Sequence, residues 1–141
     1  MRETGPSTLR GPSILRGLAV GAALTVALFC LFLYAGPHFF IEGRRAFQIN
    51  FALAGLAGFA LGWFSPALAG GPKAQAPRAT ALIAAPAMLV MAAVASHFGV
   101  FFPALNPALD KVFGSWMLWL FGFALVGALL RGRARSGAGE E

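Results

Sequence analysis

The side chains that could do chemistry in this chain are few. His38 and His97 are its two histidines, and Cys30 is its single cysteine. Imidazole and thiolate bind haem iron, zinc and copper, and Met88 and Met91 would add the soft sulfur that copper prefers. The two histidines lie far apart in the sequence without a local pairing motif, and such methionines are most often core fillers. His38 and His97 are therefore weak candidates for a cofactor or metal site, and we expect no cofactor.

Catalytic and proton-carrying groups are also sparse. Ser65 precedes a proline and has no histidine near it in the sequence, so nucleophilic catalysis lacks support. The sequence contains no phosphate-binding glycine loop, no CxxC pair and no metalloprotease helix motif. A proton-coupled exporter normally needs a carboxylate inside the membrane, and the long apolar segments contain none. We predict that the protein is not an enzyme.

Four long apolar segments must position any site that the chain has. They contain no Asp, Glu, Lys or Arg, and they are residues 17–36, 49–68, 79–101 and 112–130. A hydrocarbon core about 30 Å thick is crossed by about 20 helical residues, so each segment can cross once. Because the segments are apolar on every face, they do not fit the alternating strands of a β-barrel. The sequence predicts an all-α membrane protein with four transmembrane helices in an antiparallel up-down bundle.

The composition agrees with a membrane protein of one domain. Hydrophobic residues make up 58% of the chain and charged residues only 11%, whereas globular proteins in water carry roughly a quarter charged residues. We predict a transmembrane domain over residues 14–131, with a flexible tail at 1–13 and a disordered tail at 132–141. The lipid bilayer is the expected partner, and no nucleic acid is expected.

Capping and breaking residues predict where the helices begin and end. Ser13 can accept a backbone N–H bond at the start of helix 1, and Gly36 and Pro37 should stop that helix. Pro66 should end helix 2. Pro86 removes a backbone donor within helix 3, so we expect a kink there.

The distribution of basic residues predicts the orientation. If the termini share a side, eight basic residues lie on that side and three on the other. The eight are Arg2, Arg10, Arg16, Lys73, Arg78, Arg131, Arg133 and Arg135; the three are Arg44, Arg45 and Lys111. Cytoplasmic loops carry an excess of Lys and Arg, so we place both termini in the cytoplasm, in a prokaryotic cytoplasmic membrane.

Small residues four apart predict close helix packing, because they let helix backbones approach. Helix 1 carries Gly17 and Gly21 at this spacing, and helix 2 carries Ala54, Gly58 and Gly62. We therefore expect the tightest contact between helices 1 and 2. Packing within one chain is favoured over self-association, which stays open.

Bulky aromatic residues gather in the half of the membrane away from the termini. The favoured interpretation is an aromatic belt with core filling, in which Trp116 and Trp119 anchor helix 4 at headgroup level and Trp63 anchors helix 2 on the other side. The alternative is that the bulky side chains hold the helices apart and leave a pocket for an apolar ligand, open to the outer leaflet.

These features favour a non-catalytic interaction or accessory subunit, associated with other membrane subunits or with itself. The alternative is a small channel or transporter for an apolar or uncharged solute, and the third hypothesis is a haem-binding or metal-binding membrane protein. Size and helix count are similar to those of small multidrug exporters and fluoride channels. However, the first helix lacks the exporters' glutamate, and the third is rich in alanine where the channels have a polar break.

Overall fold

Helices make up most of the described part of the chain, which is residues 11–39 and 44–133 of a computed structural model, and none of these residues forms a strand. The helices are α1 (Ile14–Phe39), α2 (Arg44–Ala69), α3 (Ala76–Ser96), α4 (Phe98–Phe101) and α5 (Asp110–Arg133). Short 3-10 turns at Lys73–Gln75 and Pro107–Leu109 precede α3 and α5. Within these residues, four helices are long and apolar enough to span a membrane. The prediction of an all-α protein with four such helices is confirmed.

The first helix begins where its capping residue predicts. The backbone N–H of Arg16 donates to Ser13 Oγ at 3.3 Å, and that of Gly17 donates to the Ser13 carbonyl at 2.9 Å. The predicted tails at 1–13 and 132–141 fall mostly outside the described residues. Of the residues of these tails that are described, Pro12 is buried and Arg133 is the last residue of α5.

Two helices continue past the prolines expected to end them. Pro37 lies inside α1, which runs on to Phe39, and Pro66 lies inside α2, which runs on to Ala69. Those predicted ends are wrong, because a proline in the last turns of a helix removes only one backbone hydrogen bond. The helix α2 ends before Gly70, which has a φ of 72°. Such left-handed glycines are common just after helices, since they bear no Cβ.

The third predicted helix, 79–101, is divided in the structure. The helix α3 ends at Ser96, His97 has φ −123° and ψ 35°, and α4 then adds one short turn. Apolar composition indicates that a segment lies within the hydrocarbon core, but it does not indicate where the backbone leaves the helical conformation. The sequence therefore did not reveal this division. Pro86 lies within α3, which continues on both sides of it, and the kink stays a prediction.

The closest helix pairs are α2 with α5 and α1 with α3, while α1 and α2 share few contacts. Along both close pairs, the residue numbers of the two contacting helices increase in the same direction. Gly55 lies beside Trp119, for example, and Gly62 lies beside Ala124. The paired helices are therefore parallel. The helix pair expected to be in tightest contact, helices 1 and 2, is thus not among the closest pairs. A short loop fixes only where two helices meet, and side-chain packing along their length decides how closely they associate.

Candidate functional site

The start of α1, the end of α2, the start of α3 and the end of α5 meet at one end of the molecule. The Ser13 N–H donates to the Ala69 carbonyl at 3.0 Å, and the Arg131 guanidinium lies 4.6 Å from the centre of the Trp63 ring. Five basic side chains lie here, and none of the described residues at this end is acidic. We call this region the basic end; its members are Arg16, Lys73, Arg78, Arg131 and Arg133.

The buried polar side chains among the described residues are Ser65 and Thr80, both fully enclosed. Thr80 Oγ1 donates to Ser65 Oγ at 2.7 Å, and Ser65 Oγ lies 2.8 Å from the Gly62 carbonyl and 3.2 Å from that of Ala76. These bonds join α2 to α3 near the basic end. In lipid, such an interhelical hydrogen bond contributes about 0.6 to 2 kcal/mol. The pair therefore supports packing, and its hydroxyls are occupied by each other and by the backbone.

The opposite end is filled by a cluster of packed aromatic rings. Phe32 is fully buried and its ring centre lies 4.9 Å from that of Phe113 and 5.2 Å from that of Trp116. Edge-to-face pairs at such distances are favourable beyond the area that they bury. We call this region the aromatic end; its members are Phe29, Phe32, Phe98, Phe101, Phe102, Phe113 and Trp116.

The three tryptophans predicted as interfacial anchors have different surroundings. Trp116 is only 5% exposed and packs within the aromatic end, so an anchoring role at the lipid headgroups does not fit it. The sequence could not distinguish the inward face of α5 from its outward face, because both are apolar. Trp119 is 46% exposed beside Phe123, and Trp63 is half-buried under Arg131, so anchoring stays a prediction for these two.

The weak candidates for a cofactor site lie on exposed positions. His38 is in the last turn of α1, and His97 separates α3 from α4. His97 Nδ1 lies 3.2 Å from the carbonyl of Ala93 on its own helix. Within residues 11–39 and 44–133, no group of three or more His, Cys, Asp or Glu side chains could hold a metal ion. The haem or metal hypothesis stays untested.

The small residues on α1 lie against α3. A Cβ built on Gly17 would lie 2.8 Å from the Leu82 Cβ, and one built on Gly21 would lie 2.6 Å from the Pro86 Cγ and would collide with the Ile83 carbonyl. Glycine at these two positions thus allows α1 to approach the backbone of α3.

The small residues on α2 lie against α5, not against α1. A Cβ on Gly58 would collide with the Leu120 carbonyl, and one on Gly62 with the Ala124 carbonyl. The arrangement is reciprocal, because a Cβ on Gly127 of α5 would collide with the Phe59 carbonyl. Ala54, one turn before Gly58, is also buried. The prediction that helices 1 and 2 form the tightest contact is therefore wrong.

An apolar groove of about 550 Å³ lies where that tight contact was expected. Its walls are leucines of α1, such as Leu24 and Leu31, and leucines of α2 from Leu53 to Leu68. Small side chains such as Ala57 also line it. Its lining ends at Leu68 on α2, and the Arg16 guanidinium lies 3.4 Å from the carbonyl of the preceding residue, Ala67.

A second apolar cavity, of about 330 Å³, lies between α3 and α5. Three of the four methionines of the chain, Met88, Met91 and Met117, line it together with Phe113 and Phe121. Their flexible thioethers adapt to irregular gaps. The predicted pocket for an apolar ligand among the bulky aromatic side chains stays a prediction.

The outward face of α5 has a shallow depression of about 410 Å³. It is lined by Ser115, Trp119, Gly122 and Val126 among others, and a Cβ built on Gly122 would meet nothing within 4 Å. Gly122 therefore differs from Gly58, Gly62 and Gly127, which contact the backbone of a neighbouring helix. The spacing pattern of the sequence did not select Gly122, since it has no small residue four positions away.

The comparisons with known proteins give one match. The model of a family of unknown function (DUF5367) matches residues 72–135, which span the turn before α3, both α3 and α4, and all of α5. No curated protein and no solved structure matches the chain. The matched part holds both walls of the methionine-lined cavity and the outward face of α5, whereas the groove lies mainly on α1 and α2.

Proposed function

We propose that the protein is a non-catalytic accessory subunit that binds a transmembrane helix of another membrane protein along the outward face of α5. The observation that carries this proposal is the depression at Gly122, where an added Cβ would meet nothing within 4 Å and which Ser115 and the exposed Trp119 also line. A glycine inside a helix is about 1 kcal/mol less favourable than alanine. In membranes, small residues on a helix surface allow a second helix to approach closely. No described part of this chain uses that space at Gly122.

The depression around Gly122 has the form of a helix contact. Ser115 lies seven residues before Gly122, two helical turns along the same face, and both line the depression. Trp119 lies between them and is 46% exposed. A helix crossing here would pack its backbone on Gly122, could accept a hydrogen bond from the Ser115 hydroxyl and would cover part of the indole.

The charges at the ends of α5 favour a different protein over a second copy. Arg131 and Arg133 lie at the basic end, where no described residue is acidic. In a parallel two-fold dimer about α5, these arginines would face their own copies, and like charges repel. A partner whose helix is flanked by Asp or Glu on that side would instead be attracted.

The proposal includes an orientation in a prokaryotic cytoplasmic membrane. The basic end lies in the cytoplasm, the aromatic end lies outside, and α1, α2, α3 and α5 alternate in direction through the bilayer. The excess of Arg and Lys at the basic end supports this orientation. The other end has Arg44, Arg45 and Lys111, with Asp110 beside Lys111.

A photo-crosslinking amino acid placed at position 122 tests the proposal in native membranes. We expect one crosslinked membrane protein at that position, and none when the crosslinker replaces Leu89 on the exposed face of α3. Gly122→Leu should abolish copurification of the same protein in mild detergent, because the added side chain fills the contact surface. Ala93→Leu, which places the same leucine side chain at an exposed position of α3, should leave it unchanged.

Three outcomes would contradict the proposal. The first is crosslinking at position 122 to lipid alone, and the second is copurification that survives Gly122→Leu. The third is a crosslink between differently tagged copies of this chain, which would show self-association instead of a different subunit.

A further inference from the structure

The groove between α1 and α2 is long and apolar. It follows α2 from Leu53 to Leu68, which is about 22 Å at 1.5 Å per residue. Its lining comes from α1 and α2 and, at Trp116 and Leu120, from α5.

The length and lining of the groove suit a lipid chain. One leaflet of a hydrocarbon core is about 15 Å deep, and the groove is longer than that. Its lining is almost entirely apolar, formed by leucine and alanine side chains such as Leu28, Ala57 and Leu61. Apolar side chains alone would accept the chain of any lipid, so selection must come from the end of the groove.

A cation lies next to that end. The Arg16 guanidinium bridges α1 to the end of α2, with Nη2 lying 3.4 Å from the Ala67 carbonyl, next to the groove residue Leu68. A Cβ on Gly70 would lie 3.1 Å from Arg16 Nη1, so Gly70 gives the guanidinium room. The bond to Ala67 uses one of five N–H donors, and the planar fork of an arginine suits phosphate.

We propose that this groove binds one acyl chain of an anionic phospholipid, whose phosphate lies on the Arg16 guanidinium. The charge of the site is complementary to such a headgroup, because the basic end has five cationic side chains and no described acid. Among them, Arg16 contacts α2 next to the groove residue Leu68. The lipid would fill the space that the few direct contacts between α1 and α2 leave open.

Native mass spectrometry of the protein released from nanodiscs tests this proposal. With phosphatidylglycerol we expect one retained lipid, and with phosphatidylcholine severalfold less, because both lipids carry the phosphate but choline adds a cation that the five basic side chains of this end repel. Arg16→Gln should lower retention of phosphatidylglycerol by a similar factor. The matched control is Arg133→Gln, which removes the same charge from the basic end but away from the groove, and it should retain the lipid.

Filling the groove provides an independent test. Ala57→Phe should lower retention of phosphatidylglycerol, whereas Ala93→Phe, on an exposed face of α3, should not. If Ala57→Phe does not fold, the milder Ala57→Leu replaces it, and thermal unfolding of each variant shows which are folded. An equal loss of retained phosphatidylglycerol with Arg16→Gln and with Arg133→Gln would overturn the proposal, since it would show that the lipid is attracted by the net charge of the basic end alone. Retention that survives both Arg16→Gln and groove filling would also overturn it.

Discussion

Individual glycines determine how closely the helices of this protein pack. Gly58 and Gly62 lie under carbonyl groups of α5, and Gly127 lies under a carbonyl group of α2. The sequence predicted from their spacing that Gly58 and Gly62 are contact residues, but not which helix they contact. The spacing of small residues describes the surface of one helix only. Which other helix packs against that surface depends on side chains that are distant in the sequence. Gly127 was missed because no small residue lies four positions from it in the sequence.

Replacing Gly62 with alanine should separate α2 from α5. The added methyl group collides with the Ala124 carbonyl, a backbone atom that cannot rotate away, so we expect a loss of at least about 1 to 3 kcal/mol in the free energy of unfolding. The measurement is equilibrium unfolding of the purified protein in mixed detergent micelles. Gly114→Ala on α5 is the control, because a Cβ there meets nothing within 4 Å. Equal stability of the two variants would contradict the assigned contact.

At the scale of elements, the helices were predictable and their pairing was not. Long runs of uncharged residues identify helices that cross a bilayer. The thickness of the hydrocarbon core fixes the length of such a helix, and its low polarity excludes charged side chains. Which face of each helix points inward is not encoded so simply, because lipid and core are equally apolar. Trp116 illustrates the difficulty: its type suggested the headgroup region, and it lies 5% exposed among phenylalanines. The hydrogen bond between Ser65 and Thr80 was also missed. Two polar residues at a similar depth in neighbouring helices could have predicted it.

The aromatic end should behave as a packed unit centred on α1. Phe32→Ala should destabilise the protein, but by less than the roughly 3 to 5 kcal/mol found in cores of water-soluble proteins, because lipid removes most of the transfer term and only packing is lost. Tyr34→Ala is the comparison on the same helix, since Tyr34 is 77% exposed, and it should change stability little. Thermal unfolding in detergent measures both variants. A loss of thermal stability for Tyr34→Ala as large as that for Phe32→Ala would show that the aromatic end is not a buried cluster.

At the scale of the whole molecule, the basic and aromatic ends give the protein a polarity across the membrane. The contacts at the basic end bring the start of α1 and the end of α5 to the last turns of α2, while the sides of the two termini stay a prediction. The orientation relative to the cell rests on the positive-inside tendency alone. The groove and the methionine-lined cavity could not be foreseen, since both depend on how side chains from different helices meet.

Cysteine labelling in intact cells tests the orientation. In a Cys30→Ala background, which removes the single native cysteine, we expect Ala104→Cys to react with a membrane-impermeant maleimide from outside. Ala74→Cys, at the basic end, should react only after the membrane is permeabilised. Both positions are exposed in the structure, so accessibility depends on the side of the membrane. The reverse pattern would place the termini outside.

The close pairing of α2 with α5 also sets the order in which the molecule can be completed. Chains are synthesised from the N-terminus, and α2 enters the bilayer before α3, α4 and α5 have been made. Its glycine-bearing surface must therefore stay in contact with lipid until the last helix arrives, roughly 40 or more residues later, or several seconds at ordinary rates of translation. A nascent chain arrested after α3 would lack its principal helix contact, and the final helix would act as the step that commits the protein to its assembled form.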